Sequence, residues 1–395
     1  MLQYQEKKQR RKVTSYLALF HQERATLLGR RGRTMSHQNH PDSVTITLTL
    51  AIEKVVQQQA TNLHVLRLLS FLQPEAIPYE LLVDGASALH EPLRSLVSHP
   101  LTLNEALADL HSYALIHHLA DTTTRRIHRI IQAVLIDALP RRQQRQWAGQ
   151  ALRLVNHVFP EGGFDTQKEC ERYLPQAQHC ATLITDFQLT LKEGASLLQR
   201  LGSYCYQKAC YNEAKTYLAQ ALQLQEQHHW ATPQEIAQTF NALGLLYHRQ
   251  AHYPKAEKML LRALELREQT LGPTHPQTAE SLHNLAVLYT SLGQYQQAEH
   301  FYQRVLTLDE ETIGSGHPET AKTLNNLGLI YTLQGDDVRA KAAYQRALAI
   351  YEHVLSPNDP DQAYPLNGLG ALAEKQGQYQ QAEHFYQHAN AYCAA

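Results

Sequence analysis

Histidine is the residue to test first, because the chain carries 23 of them among 395 residues. A catalytic zinc site needs three protein ligands converging on one point, and a helix commonly supplies two of them as His-Glu-x-x-His. No such run occurs, and no three histidines cluster at ligand spacing. His117-His118 and His228-His229 are adjacent pairs, so on a strand or a helix their side chains diverge. His275 and His317 each precede a proline in a recurring loop. Nucleophilic chemistry lacks a frame as well: there is no Gly-x-Ser-x-Gly turn. Nucleotide chemistry needs G-x-x-x-x-G-K-[ST], whose backbone amides cradle phosphates and whose lysine offsets their charge. The nearest run, Gly29 to Gly32, is followed by arginine, threonine and methionine. No apolar strand ends in paired aspartates for magnesium. The expectation is a chain that is not an enzyme and holds no metal and no cofactor.

Arg125, Arg126, Arg129, Arg141, Arg142 and Arg145 form one further group with chemical meaning, since clustered guanidinium groups contact nucleic-acid phosphates. The whole chain does not share that bias. Lys+Arg total 36 against Asp+Glu 37, so net charge offers no pull toward nucleic acid or anionic membrane. The start is locally basic, with Lys7, Lys8, Arg10, Arg11, Lys12, Arg24, Arg30, Arg31 and Arg33 against Glu6 and Glu23. It has no apolar core between the charges, unlike a signal peptide, and no stretch approaches the length of a bilayer span. Five cysteines stand without CxxC spacing. An odd, unpatterned set suits a reducing cytosol, so a cytoplasmic location is expected. Cys205 and Cys210 fall in helical pattern and are expected to be buried thiols.

The elements that would position any site repeat along the chain. Leu201, Leu243, Leu285, Leu327 and Leu369 are each 42 residues apart. Gly202, Gly244, Ala286, Gly328 and Gly370 follow them. Ala195, Ala237, Ala279, Ala321 and Ala363 stand six before, and Ala214, Ala256, Ala298, Ala340 and Ala382 thirteen after. Tyr247, Tyr289 and Tyr331 share a column, and Tyr211, Tyr253, Tyr295 and Tyr379 share another. A fixed period of this length marks stacked supersecondary units. Small residues such as Gly244 and Ala256 let two helices approach. Leu243, Tyr247, Leu260 and Leu264 fill the seam at helical spacing. Gly293-Gln294-Tyr295 and Gly377-Gln378-Tyr379 read as turns in which glycine ends one helix and tyrosine opens the next. Leu271 to Pro276 breaks the second helix. The break recurs at Ile313 to Pro318 and, degraded, at Leu355 to Pro360.

This pattern resembles the tetratricopeptide repeat in the 42-residue form of kinesin light chains and many bacterial regulators. Leu282-His283-Asn284-Leu285-Ala286-Val287-Leu288-Tyr289 followed by Gly293 to Leu306 carries the likeness. It covers 195–395 in five units. The first lacks the loop proline pattern, the fourth has Asp337 in place of the turn tyrosine, and the last has no capping helix, so its final apolar face is expected to be poorly covered. The resemblance implies an all-α superhelical solenoid whose first helices line a concave groove for a protein or peptide ligand. Position by position it implies groove residues Asn241, His283, Asn325 and Asn367, with Leu245, Val287 and Leu329, and with His248, Arg249, Thr290 and Thr332 one turn on. Amide side chains both donate and accept, so they pair with a peptide backbone without reading its sequence. The alternative for the asparagines is that they only bond neighbouring helices.

Ahead of the repeats, Leu63 to Leu72, Tyr79 to Val83, Leu89 to Val97 and Leu103 to Tyr113 are helical in pattern. Phe71 to Pro78 is a proline-bounded loop. Ala114 to Ala120 and Arg125 to His128 read as two short strands joined by a turn at Asp121-Thr122-Thr123-Thr124, and a helix over Ile130 to Leu139 follows. That order is the order of a winged helix with one β-hairpin. Residues 165–194 read as helices, with Pro175 ending or kinking one. The segment 15–194 is similar to the region after the nucleotide-binding core of a signal-transduction (STAND) NTPase of the NB-ARC type. Tyr16-Leu17, Arg24-Ala25, Leu27-Leu28, His40 to Val44, Phe71-Leu72, Ile77-Pro78 and Ile127 to Gln132 carry the likeness. It implies a basic helical remnant at 1–57, a winged-helix-like domain at 58–140 and a helical linker at 141–194. It also implies His128 as a remnant of the family's Met-His-Asp nucleotide contact, with Ile127 and Arg129 replacing the flanking residues. The function implied is a sensor or scaffold arm that binds protein or peptide, with a nucleotide-binding domain in cis or in trans. Two alternatives stay open: a free-standing repeat scaffold, and a DNA-binding winged helix using the arginine cluster.

Overall fold

The computed structural model of the chain describes residues 51–393, apart from 56, 58, 60, 119–122, 162–165 and 357–358. Most of the basic segment at 1–57, and the Asp121-Thr122 part of the expected turn, lie outside the described residues. Ile52 to Ala395 forms one compact unit, so the front helices and the repeats share a continuous body.

The front begins with α1 (Asn62–Ser70), β1 (Ile77–Pro78), α2 (Tyr79–Asp84), α3 (Leu93–Ser98) and α4 (Pro100–Ser112). It continues with β2 (Ile116–His118), β3 (Thr124–Ile127) and α5 (Arg129–Asp137). The sheet has three strands in the order β1-β3-β2, both pairings antiparallel. The expected hairpin is β2-β3; the third strand falls at the end of the expected proline-bounded loop, Phe71 to Pro78. Two residues cannot show an alternating pattern, and Pro78 has no N–H to give. The pairing is completed just outside it, where Tyr79 N donates to the Thr123 carbonyl (3.0 Å) and Ile127 N to the Pro74 carbonyl (3.1 Å). Leu66, Leu69, Phe71, Leu82 and Leu103 are fully buried beneath these elements, each worth about 1.5–3 kcal/mol relative to exposure.

Two long helices follow, α6 (Arg141–Val158) and α7 (Gln167–Asp186). They pack on each other and on the first helix of the repeats. Pro175 does not end α7: the helix runs through it, held by buried Tyr173, Ala177 and Cys180. Gln176, buried at 1% exposure, locks the front to this pair. Its Oε1 accepts from Gln73 N (2.9 Å) and its Nε2 donates to the Gln73 carbonyl (3.1 Å).

The repeats are helix pairs: α8 (Lys192–Gln207) with α9 (Tyr211–Gln227), α10 (Pro233–Arg249) with α11 (Tyr253–Leu271), and α12 (Pro276–Ser291) with α13 (Tyr295–Thr312). α14 (Pro318–Gln334) pairs with α15 (Asp337–Val354), and α16 (Ala363–Lys375) with α17 (Tyr379–Cys393). The glycine column sets their closeness. A Cβ on Gly244 would sit 2.6 Å from Leu260, and one on Gly328 2.7 Å from the Tyr344 ring, inside any allowed contact. Gly293, Gly335 and Gly377 turn the chain with φ of 71°, 84° and 74°. The first two pairs put alanine at this left-handed position instead, Ala209 and Ala251 at φ 58° and 56°. Cys205 is buried in α8, and burial together with Glu213 pushes its thiol up to about 12. Cys210 departs from expectation. It is the exposed N-cap residue just before α9 rather than a buried helical thiol, because the Tyr211 column opens the helix and leaves Cys210 in the turn.

The His-Pro loops have a capping function. His275 Nδ1 accepts from Gln277 N, and His317 Nδ1 from Glu319 N, each at 3.2 Å, while Pro276 and Pro318 occupy the first turn, where no N–H is needed. The α10 unit reaches the same end with Thr232 and Glu235 in a capping box. Capping occupies Nδ1 of both histidines. Among the described residues no group of three or more His, Cys, Asp or Glu is arranged to hold a metal, and no helix is long and apolar enough to cross a membrane.

Candidate binding groove

The residues expected to line the groove sit on α10, α12, α14 and α16, and they divide by what their polar atoms already do. Asn241 is 5% exposed. Its Nδ2 donates to Glu280 Oε1 (3.0 Å) and its Oδ1 accepts from Asn284 Nδ2 (2.9 Å), so it ties α10 to α12. His248 Nε2 lies 2.8 Å from Ser291 Oγ, again between units. Arg249 Nε donates to the Tyr206 hydroxyl at 3.2 Å. Leu245 and Val287 are half-buried. His283 is half-buried with its ring edge-on to Tyr302, 5.6 Å between centroids. Burial, then the charge of Lys322, hold its imidazole below the ordinary range. Thr290 and Thr332 turn their hydroxyls onto their own helices, donating to the Ala286 and Gly328 carbonyls at 2.8 Å.

The α14 and α16 stretch is different. Asn325 has a buried Oδ1 with no hydrogen-bond partner, and Asn367 is exposed. Leu329 is 45% exposed and Leu333, one turn on, 44%. Tyr364, three residues before Asn367, is 61% exposed. Sequence reasoning named Asn325, Leu329 and Asn367 but passed over Leu333 and Tyr364. Leu333 stands 84 residues after Arg249, two whole periods, so the period itself points to it; Tyr364 shares a column with no residue named for the groove.

A second missed set lies under the groove. Gln225, Arg267, Asp309 and Tyr351 keep the same period and are 3%, 2%, 8% and 3% exposed. Arg267 Nη1 donates to the Gln277 carbonyl (2.6 Å) and Ser281 Oγ (2.8 Å), and pairs with Glu280 at 3.2 Å. Asp309 Oδ2 accepts from Thr323 Oγ1 at 2.8 Å. Beside Asp309 is a cavity of about 360 Å³ bounded by α12, α13 and α14.

The arginine cluster is mostly committed elsewhere. Arg141 bonds the Asp186 carbonyl and lies 4.5 Å over Phe187, and Arg145 donates to the Gln188 carbonyl at 2.9 Å, so both hold the end of α7. Arg129 pairs with Glu75 at 3.2 Å, and Arg125 lies 5.7 Å over Tyr79. Arg141, Arg142 and Arg145 with His64 and Trp147 line a cleft of about 840 Å³. His128, exposed, caps α5 by accepting from Ile130 N at 3.2 Å.

Comparison with known proteins agrees with this architecture. Residues 50–144 match a family described as a domain of unknown function (DUF7779). The chain is 34% identical over 131 residues to a nucleotide-binding leucine-rich repeat (NLR)-like protein of Hyaloscypha variabilis; the match covers 32% of this chain and spans 13% of that protein's length. Among solved structures, the apo form of RapI is similar with a TM-score of 0.50 at 14% identity, over 67% of this chain and 70% of that one. A STAND protein with a tetratricopeptide repeat sensor, PH0952 from Pyrococcus horikoshii, has a TM-score of 0.45 at 14% identity, over 91% of this chain and 53% of that one. Such identities bear on fold alone. Residues 235–311, 291–353 and 319–391 match the tetratricopeptide repeat family, and the C-terminal half of the chain is a tetratricopeptide-repeat solenoid.

Proposed function

We propose that the solenoid binds an extended protein segment along its first helices, with the contact centred on α14 and α16. Tetratricopeptide repeats build protein-interaction scaffolds, and one observation supports placing the contact here. Leu329, Leu333 and Tyr364 leave apolar surface open beside amides at Asn325 and Asn367 that are not tied to other helices. Apolar anchors flanked by backbone-pairing amides fit an extended peptide. A preformed surface also lowers the ordering cost of binding. The α10 and α12 stretch, with Asn241, His248 and Arg249 bonded between units, serves as the rigid approach to that surface. Panning a random peptide library on the whole chain tests this. Selected peptides should lose at least tenfold in affinity on Leu329→Asp or Tyr364→Ala with the circular dichroism unchanged. Peptides indifferent to both changes would retire the assignment.

We further propose that this chain is the sensor or scaffold arm of a STAND-type switch, working without chemistry of its own in the cytoplasm. The similarity to an NLR-like protein supports the reading, as does the residue pattern around His128. In such a switch, ligand held on the groove shifts the equilibrium by its differential affinity for the open state. His128, on the surface at the start of α5, would face the nucleotide-binding partner. The genomic reading frame ahead of Met1 tests this: a P-loop core in frame or in the adjacent gene is expected. Its absence would leave the free-standing scaffold.

A further inference from the structure

We propose that the cavity beside Asp309 takes the cationic side chain, arginine or lysine, of a segment lying in the groove. This rests on the groove reading above and names what one of its pockets selects.

The repeat supplies its own precedent. The buried column at Gln225, Arg267 and Asp309 reaches forward to the start of the next unit's first helix. Gln225 Nε2 approaches the Glu235 carbonyl at 3.5 Å, Arg267 meets the Gln277 carbonyl and Ser281 Oγ, and Asp309 meets Thr323 Oγ1. One period after Gln277 and Ser281 stand Glu319 and Thr323. The carbonyl and hydroxyl that receive the Arg267 guanidinium therefore have counterparts in the next unit, but the column residue there is a short carboxylate. The space that a long cation takes behind α12 becomes, behind α14, a cavity of about 360 Å³. That is near the lower end of the roughly 300–1,000 Å³ of small-ligand pockets, a size for a side chain rather than a cofactor.

Charge says which side chain. Glu280 is already paired with Arg267, and Glu319 with Lys322 at 3.3 Å. Asp309 is 8% exposed, and its one hydrogen-bond donor is the neutral Thr323 hydroxyl. Burial raises its carboxyl above the ordinary range, with the Thr323 bond acting against that. A buried carboxylate without a cation is costly unless it is paired and hydrogen-bonded. His317 is engaged as a helix cap through Nδ1, and burial disfavours a charge on the His283 imidazole. Lys322 also lines the cavity, but its ammonium is paired with Glu319, and among the described residues no cation is bonded to the Asp309 carboxylate. Since His283 lines both the cavity and the expected groove, the cation can arrive on a bound peptide.

The probes are N-acetyl-arginine amide and N-acetyl-norleucine amide, titrated into the whole chain with methyl-labelled isoleucine and valine. Saturable shifts at Ile313 and Val305, both on the cavity wall, are expected with the arginine probe, at least tenfold weaker with norleucine. Asp309→Asn should weaken the arginine response about tenfold. Asp309→Arg, which copies the Arg267 unit, should abolish it while leaving the melting temperature within a few degrees. Equal responses to the two probes, or an arginine response untouched by Asp309→Asn, overturns the proposal. The library panning separates the two readings. Peptides that depend on Leu329 but carry no arginine or lysine and ignore Asp309→Asn overturn the pocket and keep the groove. A saturating arginine response with no peptide selected keeps the pocket and overturns the groove.

Discussion

The α10–α12 stretch and the α14–α16 stretch are built on one 42-residue plan and finish with opposite surfaces. In the first, Asn241, His248 and Arg249 hold neighbouring units together and Arg267 fills the space behind the helices. In the second, the positions 84 residues on carry the partnerless Asn325 Oδ1 and the exposed Leu333, and already one unit after Arg267 the buried column has shortened to Asp309. A repeat thus fixes where side chains go without fixing what they do. The same coordinate in two units is a fastener in one and open surface in the other.

The largest test of that contrast is Arg267→Ala. It removes two hydrogen bonds and an ion pair from a side chain that is 2% exposed, so a loss of about 3–5 kcal/mol in urea unfolding is expected. A loss under about 1 kcal/mol would mean the column is not a fastener. Next, Asn241→Ala should cost about 1–3 kcal/mol because it strands the partners of a buried amide, whereas Leu329→Ala on the open surface should stay within about 0.5 kcal/mol. Equal costs would erase the distinction. Smaller still, Ala251→Gly relieves a left-handed alanine at φ 56° and should raise stability by up to about 1 kcal/mol. The same change at an ordinary helical alanine would lower it.

The mildest test is pH. Burial first, then Arg249 for His248 and Lys322 for His283, hold both imidazoles below the ordinary range. Charging them is disfavoured in the folded chain, so their contribution is complete above about pH 6.5 and is lost as pH falls through the lowered folded-state values. Asp309, shifted upward by burial, works oppositely: its contribution is present at low pH and lost as pH rises through its raised value. The melting temperature should therefore fall on acidification below about pH 6.5, and His283→Gln should flatten that slope. An unchanged slope would place the burial of His283 in doubt.

Legibility followed periodicity. The helix pairs, the Gly293 and Gly377 turns and the close Gly244 and Gly328 seams could be read directly, because one spacing repeats several times and chance cannot imitate it. The strand at Ile77–Pro78 could not, since two residues carry no period and the pairing depends on Tyr79 and Ile127 beyond it. The helix through Pro175 was obscured because tertiary packing around Tyr173 and Cys180 overrides a local breaker. Along the first helices, the hydrogen-bond partners of the expected groove residues could not be read. Nothing in the asparagine column distinguishes Asn241, bonded on both sides, from Asn325, because that difference lies in what stands 39 and 43 residues later, at Glu280 and Asn284.

The His-Pro caps have one more consequence. Each closes its own helix start with an atom from the same loop, His275 for α12 and His317 for α14, so a unit brings its own punctuation with it. A tandem copy of residues 276–317 would therefore carry the His317 cap for the helix start that follows it. Duplication of whole 42-residue units would lengthen the solenoid in whole steps.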